Sequence, residues 1–490
     1  MSSFSALGLG LSGLEAQQVG LDTVGQNVAN ANTPGYSAER VNLSAVGVLQ
    51  HLGLDQSPNA QPGSGVQVVS ITQLSNAYLQ QRSYTEQGSQ GLLSAQQAGL
   101  QAVQQNFQEP STNGLSGVLT QFWQSWSTLA NNPADVPTRA TLVQQASNLT
   151  SQLNQVSGSL AQLSQQTVQN VSLTLKQVNQ DAKQIAALNQ QIVGQAAGGK
   201  TVNALVDQRN QLVSQLSNQL GVNVGYNSNG TINVTSGGEN LVSGISYQQL
   251  SVTNSGPPYS LVWSQDQSTY QPASGQLGGM LDVVNSYVPS YSNQLDQVAQ
   301  SLMGSVNNLM ATGYDLHNNH GVPFFLGSGA SNIQVNPAIA SDPTLIAAAA
   351  SPTPAGSTAT NQDGTIAADV GELPNSQTAA LAVPAGGWGA GASASAWSAS
   401  GATTTTGPEA DSAYNQLVTN VGQANASVNT SYANQQAVTT NVNSALQSAT
   451  GVDINQELTN MVMYQNAFDS AAKFISTVNT TLQTLITMVG

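Results

Sequence analysis

The sequence predicts a mainly α protein with inserted β domains, elongated and multidomain, with terminal coiled-coil helices and a helical bundle stalk. Three observations carry this prediction. Both ends of the chain place apolar residues at alternating spacings of four and three, the repeat of a coiled-coil seam. Helical periodicity returns repeatedly between the ends. Two stretches break it with Gly-, Asn-, Thr- and Pro-rich sequence.

The N-terminal seam reads Leu7, Leu11, Leu14, Gln18, Leu21, Gly25 and Val28. Residues 30–36 then form a turn, with Pro34-Gly35 as its tight corner. Within the mixed stretch 39–80, residues 65–71 alternate like a short strand. Gln- and Ala-rich sequence from 76 to 108 favours helix until Pro110 ends it. A second helical block covers 114–221. Its seams are Leu149, Leu153, Val156, Leu160 and Leu163, then Val171, Leu175, Val178, Ala182 and Ile185, with a phase slip that suits a bundle. Gly198-Gly199 breaks this block, and the next arm, with Asp207 and Arg209, ends at Gly221.

Residues 222–274 carry short alternating runs and the hairpin signal Asn229-Gly230, which predict a small β insertion. Helix returns over 278–313, its buried face marked by Leu281, Val284, Val288, Tyr291, Leu295, Val298, Leu302, Val306 and Leu309. Residues 321–410 are loose in composition, with Trp388 and Trp397 among glycines, and read as a second β or irregular insertion. From 411 a stripe of Leu417, Val421, Ala424, Val428, Val438 and Val442 marks another helix. The C-terminal seam is Ile454, Leu458, Met461, Gln465, Phe468, Ala472, Ile475, Asn479, Leu482, Ile486 and Val489. The expected division is a terminal coiled-coil core of residues 1–50 and 450–490. A helical bundle follows over 51–221, 276–320 and 411–449, with a β insertion over 222–275 and a second, outer insertion over 321–410.

Charge is scarce. Asp, Glu, Lys and Arg make up 6% of the chain, and the net charge is -15. The eight basic residues are Arg40, Arg82, Arg139, Lys176, Lys183, Lys200, Arg209 and Lys473. So acidic a chain offers no basic face for nucleic acid and none for an anionic membrane surface. No apolar run approaches the ~20 residues of a membrane span. The N-terminus lacks the basic residues and cleavage site of a secretory signal peptide. Cysteine is absent, which removes disulfides and thiolate chemistry and suits a protein exported unfolded.

Candidate chemistry is thin. His317 and His320 beside Asp315 suggest a polar loop rather than a metal site. The same stretch lacks the sixth-position Gly and closing Glu of a calcium loop. Glu86, Glu109 and Asp135 have no spacing that marks an acid–base pair and read as solvated helix ends or caps. No nucleophile elbow or phosphate loop is present. The chain is expected to be no enzyme and to need no cofactor. Trp123 and Trp126 share a helix face and read as core, with subunit contact as the alternative. The narrow seams need partner helices from the other terminus or from neighbouring copies, and packing between subunits is the favoured reading. Gln18, Gln465 and Asn479 either set register within the seams or occupy wet positions.

The run Asn27-Val28-Ala29-Asn30-Ala31-Asn32-Thr33-Pro34-Gly35-Tyr36 resembles the N-terminal signature of bacterial flagellar axial proteins, Asn-x-Ala-Asn-x-x-Thr-x-Gly-Tyr. Asn27, Ala29, Asn30, Thr33, Gly35 and Tyr36 fill its fixed positions. The C-terminal elements Leu458-Thr459-Asn460-Met461 and Leu482-Gln483-Thr484-Leu485-Ile486 are similar to the same superfamily. Within it, residues 13–18, the aromatic block 122–133, residues 278–282 and residues 313–316 resemble the hook-associated protein 1 family. The resemblance spans roughly 1–320 and 410–490. It implies a junction subunit of the flagellum that self-assembles into a ring, with hook protein below and a second junction protein above. It further implies type III export without cleavage, an export chaperone at the C-terminal segment, and an extracellular location at the hook–filament junction.

Two other readings stay open. One is a hook or distal rod protein of the same superfamily. The other is a secreted adhesin or wall-cleaving enzyme that uses residues 321–410 as a binding surface. The scarcity of charge suggests acidic surroundings.

Overall fold

The computed structural model describes residues 3–46, 65–109, 111, 114–253, 256–355, 361–375 and 410–489. His51, Trp388, Trp397 and the rest of 376–409 lie outside the described residues, as does the side chain of Val489.

Helix α1 (Ser3–Ala29) leads through a turn into an antiparallel ribbon of β1 (Glu39–Ala45) and β2 (Val66–Gln73). The bundle follows as α2 (Ala77–Phe107), α3 (Leu115–Asn131), α4 (Val136–Ala197) and α5 (Asn203–Leu220). Local chemistry explains where these helices start. Asn76 accepts a hydrogen bond from Leu79 N, and Asp135 accepts one from Thr138 N, each satisfying a free first-turn amide. Pro137 sits in the first turn of α4, where its missing N–H costs nothing.

Seven short strands, β3 (Asn223–Tyr226) to β9 (Thr269–Tyr270), form a four-stranded and a three-stranded antiparallel sheet. Helix then resumes as α6 (Gly275–Asp282), a π turn (Val283–Tyr287) and α7 (Val288–Thr312). Beyond α7 come a two-strand hairpin, β10 (Phe325–Leu326) with β11 (Gln334–Val335), and the short helices α8 (Pro337–Ser341) and α9 (Thr365–Gly371). The chain returns as α10 (Ala410–Thr450) and α11 (Ile454–Val489).

Two hydrophobic cores are strung along α4, whose 62 residues extend about 93 Å at 1.5 Å per residue. Leu142–Leu160 of α4 belong to one core, with the end of α2, α3, α7 and the start of α10. Val171–Ala186 belong to the other, with α5, α6 and the β3–β9 sheets. The periodic stripes on α4 and α7 are the faces buried here. Such a stripe survives in the sequence because the opposite face of each helix meets water.

Residues 321–375 depart from the expected outer insertion. Phe324, Phe325, Ile339, Ile346, Ile366 and Val370 are buried in the first core beside Phe122 and Trp126. Arg139, itself 1% exposed, donates from Nε to Pro133 O at 2.8 Å and from a terminal nitrogen to Ile346 O at 2.6 Å. The segment is composed of elements two to seven residues long, too short to print a period on the sequence.

Candidate assembly surface

The two ends of the chain pair with each other. α1 lies antiparallel to α11, with Gly10 against Ile475, Gly13 against Ala471 and Gly20 against Tyr464. A Cβ at Gly10 would stand 2.6 Å from Ile475 Cγ1, and one at Gly20 would stand 2.7 Å from the Tyr464 ring. Missing side chains on α1 therefore set how closely the helices approach. The inward stripe of α1 is Gly10, Gly13, Gly20, Val24 and Asn27, again at heptad spacing.

This stripe lies one residue before the apolar seam read from the sequence: Gly10 for Leu11, Gly13 for Leu14, Gly20 for Leu21, Asn27 for Val28. The reading followed the large apolar side chains Leu7, Leu11, Leu14, Leu21 and Val28, whereas the face towards α11 is built on Gly10, Gly13 and Gly20. The consequence is that seam residues are left outside. Leu7 is 38% exposed, Leu11 52%, Ile454 46%, Leu458 48% and Ile486 71%. Leu14, Leu21, Val28, Met461, Phe468, Ile475 and Leu482 are half-buried. Gln18, Gln465 and Asn479 are exposed.

In an antiparallel pair, the residues that follow the inward stripe of each helix fall on the same side. Leu7, Leu11, Ile454, Leu458 and Ile486 thus fall along one side of the pair, Leu7 and Leu11 towards one end and Ile454 and Leu458 towards the other. A second flank belongs to α11: Met463, Phe474 and Leu485 are exposed, and their spacing of eleven residues keeps them on one face. Apolar side chains wrap further round α11 than one partner helix covers.

The signature residues fold the chain back beneath this pair. Asn27 is fully buried. Its Nδ2 donates to Glu39 O at 2.9 Å, and its Oδ1 accepts from Glu39 N and from the Tyr36 hydroxyl, each at 2.9 Å. One amide side chain acts as a neighbouring strand for Glu39. Ala29, the next position of the signature, is the last residue of α1 and is exposed. Asn30 Nδ2 donates to Gln26 O, and Thr33 Oγ1 donates to Asn30 Oδ1 at 3.2 Å. Gly35 takes φ +80, the left-handed conformation that glycine adopts without strain.

Past the turn, contacts reach the other end of the chain and the bundle. Ala38 N donates to Thr450 O at 2.8 Å. The Arg40 guanidinium pairs with Glu457, a carboxylate buried in the first turn of α11. Ser37 N donates to Asp207 Oδ2 of α5 at 3.5 Å. Burial, then the charges of Glu39, Asp207 and Glu457, push the Tyr36 hydroxyl up to about 12. A polar cleft of about 570 Å³ opens between the turn, α2, α5 and α10, lined by groups such as Gln87, Ser214 and Asn443. Arg40, Glu457 and Asp207 were not singled out as site residues in the sequence. The signal available was a lone basic residue just after the signature turn in a chain with so few.

The other candidates hold the structure together. Asp135 caps α4, Glu109 accepts from Ser116 N and the Tyr414 hydroxyl, and Glu86 pairs with Arg82. Asp315 Oδ1 accepts from His317 N and Asn319 N, each at 2.8 Å, which ties up a tight loop. Among the described residues no group of three or more His, Asp or Glu is placed to hold a metal ion. No helix among them is long and apolar enough to cross a membrane.

Comparison with known proteins follows this anatomy. The family described as "Flagellar hook-associated protein FlgK helical domain" matches residues 100–325, which include α3, α4 and both β3–β9 sheets. Over those residues the chain is similar to the FlgK family. The two ends match flagellar rod families. Residues 7–36 match "Flagella basal body rod protein", and residues 442–488 match "Flagellar basal body rod FlgEFG protein C-terminal". Flagellar hook-associated protein 1 of Bacillus subtilis is 29% identical over 47% of this chain and 45% of its own length. The protein of the same name from Salmonella typhimurium is 28% identical over 64% of this chain and 58% of its own length. The chain thus spans about half the length of the curated relatives it matches. The solved flagellar hook junction protein FlgK from Burkholderia pseudomallei superposes with a TM-score of 0.61 at 18% identity. That match covers 75% of this chain and all of the other, and it establishes likeness of fold.

Proposed function

We propose that this chain is a structural junction subunit of the bacterial flagellum, joining hook to filament through its terminal helix pair. The observation that carries the reading is the exposure of Leu7, Leu11, Ile454 and Leu458 on a pair already closed against itself. Large apolar side chains exposed along one side of a helix pair favour a surface that another molecule covers. The two flanks of the pair differ in composition and lie on different sides of it. Such an arrangement suits head-to-tail contacts between copies, which close into a ring, better than a two-fold dimer. On this reading hook protein lies below the ring and a second junction protein above. Before assembly, an export chaperone guards α11, and the chain leaves the cell through the flagellar type III pathway. The role is architectural rather than enzymatic.

The match of residues 100–325 to the FlgK helical family favours a junction subunit over a hook or rod subunit. Ending the chain after Thr450 tests the reading. The truncated protein keeps both α4 cores, seen as retained helical circular dichroism, and fails to attach filaments in cells that lack the full-length chain. Filaments attached by the truncated chain would overturn it.

A further inference from the structure

One carboxylate at the joint between the terminal layer and the bundle has no role in the assembly reading. Asp207 projects from the first turns of α5 towards residues 36 and 37, which are 170 positions away in sequence. Its Oδ2 accepts a long bond from Ser37 N, with the Ser37 and Gln73 side chains near enough to favour its charged form, and its Oδ1 is buried without a partner. Among the described residues no cation answers it. Arg40 is committed to Glu457, and Arg209 turns the other way, donating to Asn189 Oδ1 and Gly230 O. Gln73 of β2 gives its amide to Asn203 O. Glu39, Tyr36 and Glu457 are the titratable groups around it. From α2 and α10 the cleft receives Gln80, Ser83, Gln87 and Asn443, all neutral, while Arg82 and Glu86 of α2 pair with each other at 3.5 Å.

We propose that Asp207 is an acid-strengthened latch: on protonation, α5 holds the 36–37 turn more firmly and fastens the terminal helices to the bundle. The neutral carboxyl ends the repulsion from Glu39 and gives the unpartnered Oδ1 side of the group a proton to donate. It also removes a charge from a partly buried site that hydrates it poorly. Burial first, opposed by hydrogen bonds from Ser37 and Gln73 and aided by Glu39, raises this carboxyl from 3.8 to about 6. A folded-state value above the ordinary one means the stabilisation is complete below 3.8 and is lost as pH rises through about 6.

The test is amide exchange of the full-length chain, corrected for intrinsic rate, over residues 30–46. Protection should be about tenfold greater at about pH 5 than at about pH 7.5. Asp207→Asn should give equal protection at both. Carbon-13 titration of the Asp207 carboxyl in the wild type attributes the effect without a variant, with a midpoint near 6 expected. Wild-type protection that does not rise, a rise retained in Asp207→Asn, or a midpoint at 3.8 would each overturn the proposal.

Discussion

Gly10 makes room for Ile475: with no side chain at position 10, α11 settles against the backbone of α1, and Leu11 is turned outward. Close approach of the two ends and exposure of the leucines are one geometric fact. Helices pack by fitting the side chains of one into gaps on the other, and here the gaps are glycines.

Filling a gap should separate the ends. Gly10→Val or Gly20→Val places carbon where Ile475 or Tyr464 already stands, and overpacking of this kind costs about 1–3 kcal/mol. Amide exchange in α11 should accelerate while that of α4 stays the same. Unchanged exchange in α11 would show that the pair does not depend on the glycine stripe.

Asn27 carries the turn. Asn27→Ala strands the Glu39 amide, the Glu39 carbonyl and the Tyr36 hydroxyl in a buried site, a loss of about 2–3 kcal/mol. The β1–β2 ribbon should lose protection while the first core keeps its own. A thermal melt and exchange profile identical to wild type would refute this role.

Arg139 secures residues 321–375. Burial lowers its guanidinium to about 10, so it remains charged at neutral pH, bonded only to backbone carbonyls. Arg139→Met should destabilise the first core by about 3 kcal/mol, read from denaturant unfolding, because those carbonyls lose their donor. Arg139→Met unfolding at the wild-type midpoint would show that packing alone holds the segment.

Helix caps set an acid limit. Hydrogen bonds from Thr138 hold Asp135 below its ordinary value of 3.8, and those from Thr344 do the same for Asp342. Groups with lowered values stabilise the fold above the ordinary value and lose that contribution as pH falls through the folded one. The first turn of α4 should therefore hold at about pH 5 and fray only as pH falls below 3.8, checked by exchange over residues 136–140. Equal protection on either side of that value would contradict the capping role.

What the sequence revealed depended on the length of each element. The stripes on α4 and α7 repeat often enough to be read without coordinates, and Trp123 and Trp126 both lie in the core. Residues 321–375 left no period because each of their elements is too short to complete one. On α1, periodicity located the helix and a seam read as packing between subunits; the face turned to α11 lies one residue earlier and is built on glycine. Asp207 gave no sign at all. What makes it unusual is a backbone amide brought from 170 residues away, and no local pattern encodes that.

The central claim is that another copy covers Leu11 and Leu458. Because the chain contains no cysteine, one introduced thiol reports a single position. Leu11→Cys, Leu458→Cys and, as a control on α4, Leu173→Cys would each be labelled with maleimide in the free chain and in assembled flagella. The account predicts rapid labelling of all three in the free chain, and protection of positions 11 and 458 alone after assembly. Equal labelling of positions 11 and 458 in both states would contradict it.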